Sequence, residues 1–439
     1  MPESILHPTD LEAAVFQEVA EQPIVDMHTH TYPPSFGTPV PNGTGAPDPN
    51  GLMLWGIDEL LTYHYLIAEV YRVVPATQLP YEQFWQMTRA QQADHIWKHL
   101  FQERTPISEA CRGVITTLTK LGLDPSSDSL PQMRRFFAEQ DPSRFVDRVM
   151  ELSHVEKITM TNEVFDTNER GRWLADPCIG SDPRFSAVLR IDRMILDWAA
   201  AAQDLHSWGY EVIAELTDRA VEEARRFLRE WLDRLKAIYI AVSLPPEFHF
   251  PAQGDASTHA GQAVLEKVIL PVCAERGLPF AMMIGAVRSV NPGLRGGGDM
   301  GGVADVTAVT NLCAAFPQNK FLVTMLMREN HHALAVAARK FGNLMVFGCW
   351  WFVNNPSLID EITRMRMELL GTSFIPQHSD ARILDQLVYK WDHSRKLIAR
   401  VLVDKYADLQ TAGWKLTREQ IGRDVRLLLR DNFVGFCER

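Results

Sequence analysis

The sequence predicts an α/β protein in which parallel strands form a distorted (β/α)8, or TIM, barrel with a helical insertion after the first strand. Three observations favour this fold. From about residue 150 onward, apolar β-branched runs alternate with amphipathic helical patterns, which is typical of a parallel sheet covered by helices. With the run at residues 24–27 there are eight such strands, enough to close a barrel. The first run leads into His28 and His30, at the strand end where barrels carry their chemistry.

The predicted strands are distributed along most of the chain. They comprise residues 24–27, 157–160, 186–191, 237–243, 279–284, 321–326, 344–348 and 373–377. Helical patterns over residues 218–235, 260–276, 303–316, 333–341 and 355–370 separate the later strands. No glycine-rich dinucleotide fingerprint opens a helix after an early strand, which argues against an open Rossmann sheet.

Residues 32–150 interrupt this alternation directly after the first strand. A loop rich in Pro, Gly and Asn covers residues 32–51, and helical patterns follow over residues 56–73, 81–103, 108–121 and 131–138. Because the chain leaves the first strand at its carboxyl end, we expect the insertion to cover the mouth of the barrel as a cap. The predicted division is residues 1–31 with the first strand, the helical cap 32–150, and the rest of the barrel, 151–439.

Composition restricts the partners of the protein. The chain has 44 Lys and Arg against 55 Asp and Glu, a net charge of −11 without a basic run, so nucleic-acid binding is not expected. Neither a signal peptide nor an apolar run of transmembrane length is present, so we expect no membrane partner. The 6 cysteines lack paired spacing, which favours free thiols in a reducing compartment. We therefore expect a cytoplasmic protein, and a homo-oligomer.

A metal site is predicted at the end of the first strand. In an extended strand His28 and His30 point to one side, whereas Val25 and Met27 face the other. Two converging imidazoles suit a divalent transition metal. Asp380 follows the eighth strand, which adjoins the first in a closed barrel, so it can supply a third ligand or a base. An Asp that caps the next helix is the structural alternative.

Other polar and aromatic side chains are candidates for substrate contacts. Arg382, two residues after Asp380, is a natural partner for a substrate carboxylate. Further candidates at or just past strand ends are Arg190, Arg288, Trp350, Trp351 and Trp391. The tryptophans alternatively pack the loops. In the insertion, Tyr65, Glu69 and Arg72 share one helical face, which is either part of a site or a solvated face with an i,i+4 pair.

Together these motifs resemble the uronate isomerase (glucuronate isomerase) family, an outlying branch of the amidohydrolase superfamily. The matching elements are Asp26-x-His28-x-His30, His64-Tyr65, Ile284-Gly285-Ala286-Val287-Arg288, Trp350-Trp351-Phe352 and Ser379-Asp380-x-Arg382. The resemblance extends over nearly the whole chain. It implies a distorted (β/α)8 barrel and a small-molecule sugar acid as substrate. It further implies aldose–ketose isomerisation of D-glucuronate to D-fructuronate and of D-galacturonate to D-tagaturonate.

The resemblance also implies roles for individual residues. His28, His30 and Asp380 would hold a divalent metal, with zinc as the preferred ion and its necessity left open. Residues implied or expected to contact substrate or line the pocket are Tyr65, Arg382, Arg190, Trp391, Arg288 and Trp351. Asp380 is the expected base of an enediolate mechanism, assisted by the Tyr65 hydroxyl and by His28.

One departure from the family narrows the metal site. Met283 stands where many members carry a histidine, and residues 237–243 contain no lysine that could bridge two metals. Because methionine cannot replace histidine toward a hard or borderline ion, we expect one metal and three protein ligands. The alternatives are a mononuclear metal-dependent hydrolase or decarboxylase acting on a small carboxylate, and a sugar-acid binder without catalysis.

Overall fold

A curled parallel sheet forms the centre of the molecule. The computed structural model describes residues 6–41 and 46–438. The strands are β1 Ile24–Thr29, β2 Val155–Glu163, β3 Phe185–Arg190, β4 Ile240–Leu244, β5 Phe280–Ile284, β6 Ala286–Val287, β7 Met300–Gly301, β8 Phe321–Met325 and β9 Leu344–Val346. Within the described residues, seven strands pair in parallel in the order β1-β2-β3-β4-β5-β8-β9, and β6 and β7 form a separate antiparallel pair. Seven predicted strands are thus confirmed, whereas the small hairpin was not predicted.

The segment predicted as the eighth strand contacts the extension of β9, and the residues just after it contact β1, but it does not form a regular strand. Ile375 forms an isolated parallel bridge with Phe347, which follows β9. On the other side, the backbone N–H of His30 donates to the carbonyl oxygen of Ala381 at 2.7 Å. Pro376 lacks an N–H and so interrupts the ladder directly after Ile375.

Apolar side chains alternate between the two faces of the sheet. In β5, Phe280 and Met282 pack into the large cluster beneath the helices, whereas Ala281 and Met283 belong to a second cluster. That second cluster draws on six strands, with Met27, Val188, Ala241, Ala281, Leu322 and Met345 among its members. Because residues from the first and last strands share one cluster, the sheet must curve around it.

Helices surround the sheet. The first, α1, is Leu11–Glu21, and those between β1 and β2 are α2 Ile57–Leu61, α3 His64–Val73, α4 Tyr81–Gln86, α5 Arg89–Trp97, α6 Glu109–Lys120, α7 Leu130–Ala138 and α8 Pro142–Ser153. The others are α9 Thr167–Ala175, α10 Asp192–Leu196, α11 Trp198–Ser207, α12 Asp218–Leu235, α13 Ala256–Val264, α14 Leu270–Arg276, α15 Val306–Ala315, α16 Asn330–Ala338, α17 Pro356–Leu370, α18 Gln386–Thr411, α19 Arg418–Arg426 and α20 Asn432–Glu438. Short π-helical segments are Lys98–Gln102, Leu265–Ile269 and Leu427–Asp431, and 3-10 turns are Pro8–Asp10, Pro34–Phe36, Pro292–Gly298 and Trp351–Val353.

The helical segment between β1 and β2 follows the sequence pattern with breaks. The pattern over residues 56–73 divides into α2 and α3, and the pattern over 81–103 divides into α4, α5 and a π-helical segment. Part of the predicted loop 32–51, residues 42–45, lies outside the described residues. The long helix α18 packs against α1, α6, α8 and α17, and so contacts both this segment and the helices around the sheet. In the part of the chain that the structure describes, none of the helices is long and apolar enough to span a membrane.

Candidate active site

A small cavity of about 30 Å³ lies at the carboxyl ends of the parallel strands. Its lining comprises His28, His30, Tyr63, His64, Arg190, Ser243, Met283, Arg288, Trp350, Trp351, Asp380 and Arg382. The structure therefore brings most of the sequence-predicted site residues to one place.

An irregularity in β1 brings His28 to this cavity. The pairing register of β1 against β2 shifts between Asp26 and Thr29. Met27 belongs to the second cluster together with Tyr239. The His28 ring nitrogen Nδ1 lies 3.4 Å from the hydroxyl of the same Tyr239. The predicted alternation, with Met27 facing away from His28, is therefore wrong at this point. Register shifts of this kind redirect side chains beside active sites.

The three predicted metal ligands are clustered. The Nε2 atoms of His28 and His30 lie 3.6 and 3.4 Å from Oδ1 of Asp380. One ligand atom from each residue lies within 4.8 Å of the others, and no second such group occurs among residues 6–41 and 46–438. Donors about 2.1 Å from a tetrahedral ion would be roughly 3.4 Å apart. The donor set thus fits a divalent ion, and His28 Nε2 and Asp380 Oδ1 are buried without a hydrogen-bond partner in the described structure.

Contacts behind His28 favour the tautomer that a metal ligand needs. The Tyr239 hydroxyl donates to the carbonyl oxygen of Met27 at 2.7 Å, so its oxygen can only accept from His28 Nδ1. The Thr161 hydroxyl oxygen lies 3.2 Å from the same nitrogen. A proton on Nδ1 leaves the lone pair of Nε2 directed toward Asp380.

Burial keeps both imidazoles neutral. Burial, together with the smaller effect of the neighbouring His30, lowers the pKa of His28 to about 3. It also lowers the pKa of His30, with Arg382 and Arg190 acting in the same direction. Neutral imidazoles at physiological pH are the form that binds a metal.

The backbone of Asp380 is held in an unusual conformation. Its φ is 54°, in the left-handed region that a residue with a Cβ rarely adopts. The backbone N–H of Asp380 donates to the carbonyl oxygen of His28 at 3.1 Å, and Ala381 N–H donates to the Ser379 hydroxyl at 3.2 Å. Conformational strain of this kind costs about 1–3 kcal/mol and is concentrated at functional sites.

The three arginines of the cavity differ in their partners. Arg190 donates two hydrogen bonds to Asp192, at 2.6 and 2.9 Å, and Arg288 pairs with Asp299 at 2.6 Å. Arg382 has no acidic partner among the described residues. Its guanidinium is therefore the one most available to an anionic ligand.

The start of α3 brings two side chains to the cavity, and a third lies just beside it. Tyr63 and His64 line the cavity, whereas Tyr65, predicted to touch substrate, contacts both of their rings. The Tyr65 hydroxyl is buried without a partner in the described part of the chain. Burial raises the pKa of Tyr65, and the nearby Tyr63 and Asp380 act in the same direction, so its phenol remains a proton donor.

Trp391 does not line the cavity, in contrast to its predicted role. Its indole lies in α18, almost fully buried, and its N–H donates to Asp26 Oδ2 at 2.9 Å. Trp351 does line the cavity, and the Arg288 guanidinium lies 5.4 Å from the centre of its ring. Ser243 is a lining residue that was not predicted, although its place near the carboxyl end of β4 was a usable signal.

Comparison with known proteins decides the family of the chain. A uronate isomerase from Bacillus halodurans C-125 is 47% identical, with a TM-score of 0.91 over 99% of this chain and 98% of that chain. The chain belongs to the uronate isomerase family. A uronate isomerase from Thermotoga maritima (14% identity, TM-score 0.74, 99% and 98% covered) shares its fold. A glucuronate isomerase from Caulobacter crescentus also shares the fold, at 15% identity and a TM-score of 0.74 over 98% of this chain and 94% of that chain. Neither a protein-family model nor a curated protein matches the chain.

For a member of the uronate isomerase family, the site has a sparse set of metal ligands. Met283 lines the cavity and is buried, so this position offers a thioether sulfur and no imidazole as a ligand. Tyr239, which directly precedes β4, and Ser243, within β4, lie next to the site. The geometry thus gives one group of two imidazoles and one carboxylate.

Proposed function

We propose that the protein is an aldose–ketose isomerase that converts D-glucuronate to D-fructuronate, D-galacturonate to D-tagaturonate, or both. The single observation that carries this proposal is the similarity to a uronate isomerase, which extends over 99% of this chain at 47% sequence identity. The cavity supports it, because it combines a carboxylate, two neutral imidazoles and an arginine without an acidic partner among the described residues. These groups match the needs of proton transfer on an anionic sugar.

Asp380 is our candidate for the base. The reaction removes the proton from C2 of the open-chain sugar and returns a proton to C1 through a cis-enediolate. The Asp380 carboxylate lines the cavity, and its Oδ1 has no hydrogen-bond partner in the described structure. Because the same oxygen faces the two imidazoles, Asp380 cannot be both a tightly held ligand and a free base, and we expect its bond to a metal to be weak. The neutral Tyr65 phenol can donate to the enediolate oxygen or assist ring opening, and Tyr63 lies nearer to the cavity.

Arg382 is proposed to bind the uronate carboxylate, with Arg190, Arg288 and Trp351 completing the wall of the pocket. A guanidinium without a competing acid can form a bidentate pair with a carboxylate. Arg190 is already paired with Asp192, so we propose for it a weaker, orienting contact. A bound carboxylate at one end of the cavity would fix the reacting carbons near Asp380.

We propose that His28, His30 and Asp380 hold one divalent metal ion, zinc in preference to others. When bound, the ion would polarise an oxygen on C1 or C2 of the sugar. Thermal unfolding of chelator-treated protein with and without added Zn²⁺ tests the site, because binding to the native state raises Tm. His30→Ala should abolish the rise in Tm. An unchanged Tm in the parent protein, with no zinc retained on dialysis, would exclude the metal.

We propose that the fold is a distorted (β/α)8 barrel with residues 32–150 as a cap over its mouth. The backbone contacts of residues 375–381 with both neighbouring strands support closure. The position of Tyr63 and His64 in the cavity supports a cap that contributes to the site. The free cysteines of the described residues favour a cytoplasmic location, and a homo-oligomeric state stays a prediction.

Proton NMR in D2O with D-glucuronate and with D-galacturonate tests the proposed reaction. We expect loss of the anomeric signals of the aldose and incorporation of deuterium through the enediolate. Asp380→Asn should lower kcat at least about 100-fold while KM changes little, because a general base acts mainly in the transition state. Unchanged spectra for both uronates with folded, zinc-loaded protein would contradict the proposal. Release of CO2 or of a cleaved product would instead indicate the decarboxylase or hydrolase alternative.

A further inference from the structure

We infer that Asp26 and Trp391 form a positioning pair that holds Asp380 against His28 and His30. The consequence for turnover rests on the proposed isomerase function, whereas the consequence for metal binding does not. Neither residue lines the cavity, so neither is expected to touch substrate. Their effect would be transmitted through the backbone at Ser379.

Asp26 is fully buried and joins three separate segments of the chain. Its Oδ1 accepts from the backbone N–H of Ser379 at 3.2 Å and from that of His28 at 3.4 Å. Its Oδ2 accepts from the indole N–H of Trp391 at 2.9 Å. One carboxylate therefore connects β1, the segment after residue 375, and the first turns of α18.

These contacts surround both residues that must meet at the metal site. Ser379 directly precedes Asp380, whose positive φ of 54° is held only if its neighbours are fixed. His28 is the ligand contributed by β1, at the point where the strand register shifts. Through its two backbone contacts, Asp26 fixes the distance between the segments that carry His28 and Asp380.

The indole N–H of Trp391 supplies the hydrogen bond to the second oxygen of the Asp26 carboxylate. A buried carboxylate oxygen without a donor is costly, so loss of the indole N–H would allow Asp26 to reorient away from Ser379. Simple packing of a large ring is the other explanation for a buried tryptophan. Phenylalanine at position 391 separates the two, because it retains most of the ring volume and removes the N–H.

Three variants test the pair: Asp26→Asn, Trp391→Phe and the double variant. In Asp26→Asn the amide oxygen can still accept from the N–H of Ser379. The NH2 group then faces the indole N–H of Trp391, and two donors cannot form a hydrogen bond. Trp391→Phe in the same protein removes that conflict. Trp198→Phe is the matched control, because the Trp198 indole is also buried and donates to a backbone carbonyl, that of Ala214, at 2.9 Å outside the site.

The first measurement is Co²⁺ binding by the metal-free protein, followed by its visible absorption and without substrate. We expect each single variant to weaken Co²⁺ binding about 10- to 100-fold, as for other residues behind metal ligands. The double variant should bind Co²⁺ better than Asp26→Asn alone, and Trp198→Phe should bind like the parent. Losses no larger than that of the control, or a double variant weaker than both singles, would overturn the inference.

The second measurement is turnover of the uronate that the parent protein isomerises. We expect kcat to fall about 10-fold or more in each single variant with KM within about threefold, and partial recovery of kcat in the double variant. If the parent converts no uronate, the proposed function fails and the Co²⁺ result still decides the inference. If Asp26→Asn does not fold, Trp391→Phe against Trp198→Phe decides it.

Discussion

The distribution of partners among the cavity arginines gives each of them a different chemical capacity. Arg190 and Arg288 are neutralised by Asp192 and Asp299, whereas no acid within the described residues pairs with Arg382. A carboxylate that enters the cavity would have to displace an existing partner at the first two. At Arg382 it would meet an uncompensated charge, which is the stronger attraction.

Replacement of Arg382 by Lys should therefore raise KM more than the same change at Arg288. A hydrogen bond to a charged group contributes about 1.5–3 kcal/mol, which corresponds to roughly 10- to 150-fold in KM. Lysine keeps the charge but loses the planar pair of donors. Steady-state kinetics on the accepted uronate measure both variants. An equal rise in KM for Arg288→Lys would show that the carboxylate does not bind preferentially at Arg382.

At the scale of elements, Asp385 connects α18 to the start of α2. Its buried Oδ2 accepts from the backbone N–H of Gly56 at 2.8 Å, and Gly56 has a φ of 95° that favours glycine. Burial raises the pKa of Asp385 to about 7, against the lowering effect of the Gly56 hydrogen bond. This link between helices from distant parts of the sequence should therefore depend on pH.

The sign of that dependence follows from the raised pKa. The unfolded chain loses the Asp385 proton near pH 4, whereas the folded protein keeps it until about pH 7. The free energy of unfolding should fall between pH 4 and pH 7, by a few kcal/mol at most, and this contribution should be constant above pH 7. Asp385→Asn removes the titration but keeps an acceptor for Gly56. The free energy of unfolding of this variant minus that of the parent should therefore be larger at pH 8 than at pH 5.

Urea unfolding at pH 5 and pH 8 measures this difference, with Asp233→Asn as the control at an exposed acid. The control should change stability by a similar, small amount at both pH values. A difference between Asp385→Asn and the parent that is the same at both pH values would show that Asp385 is not the titrating group.

The elements and the main site were predictable from the sequence for identifiable reasons. Buried parallel strands produce continuous apolar runs, so β4 and β5 were recognisable, and α12 was predicted with its observed bounds because its amphipathic pattern is strong. His28, His30 and Asp380 could be joined because strand ends converge. The register shift in β1 leaves no local signal, so the direction of Met27 was mispredicted.

Contacts between distant segments account for what the sequence did not predict. Trp391 was assigned to the pocket wall because it follows a strand end, but its indole bonds to Asp26, 365 positions earlier. The partners of Arg190 and Arg288 are close in sequence, yet nothing in the sequence marks them as already paired. Specific side-chain pairing depends on distances of about an ångström, which periodicity does not determine.

At the scale of the whole molecule, closure of the sheet decides whether the site is rigid. Two backbone hydrogen bonds join the final segment to β9 and its extension: Ile375 N–H to Val346 O at 3.1 Å and Gly348 N–H to Ile375 O at 2.8 Å. On the opposite side, the N–H groups of Asp380 and His30 donate to the carbonyls of His28 and Ala381. The ligands from β1 and from the final segment meet only if both sets persist.

A closed barrel predicts that residues 373–381 open only when the whole protein unfolds. Hydrogen exchange of the metal-free protein, resolved by peptide mass spectrometry, measures this without help from a bound ion. We expect peptides covering residues 373–381 and 28–30 to match the protection of β4 and β5, because amides in one cooperative unit share its opening free energy. Exchange of residues 373–381 many times faster than that of β4, in protein of unchanged global stability, would indicate an open sheet. The metal would then have to assemble the site rather than bind to a preformed one.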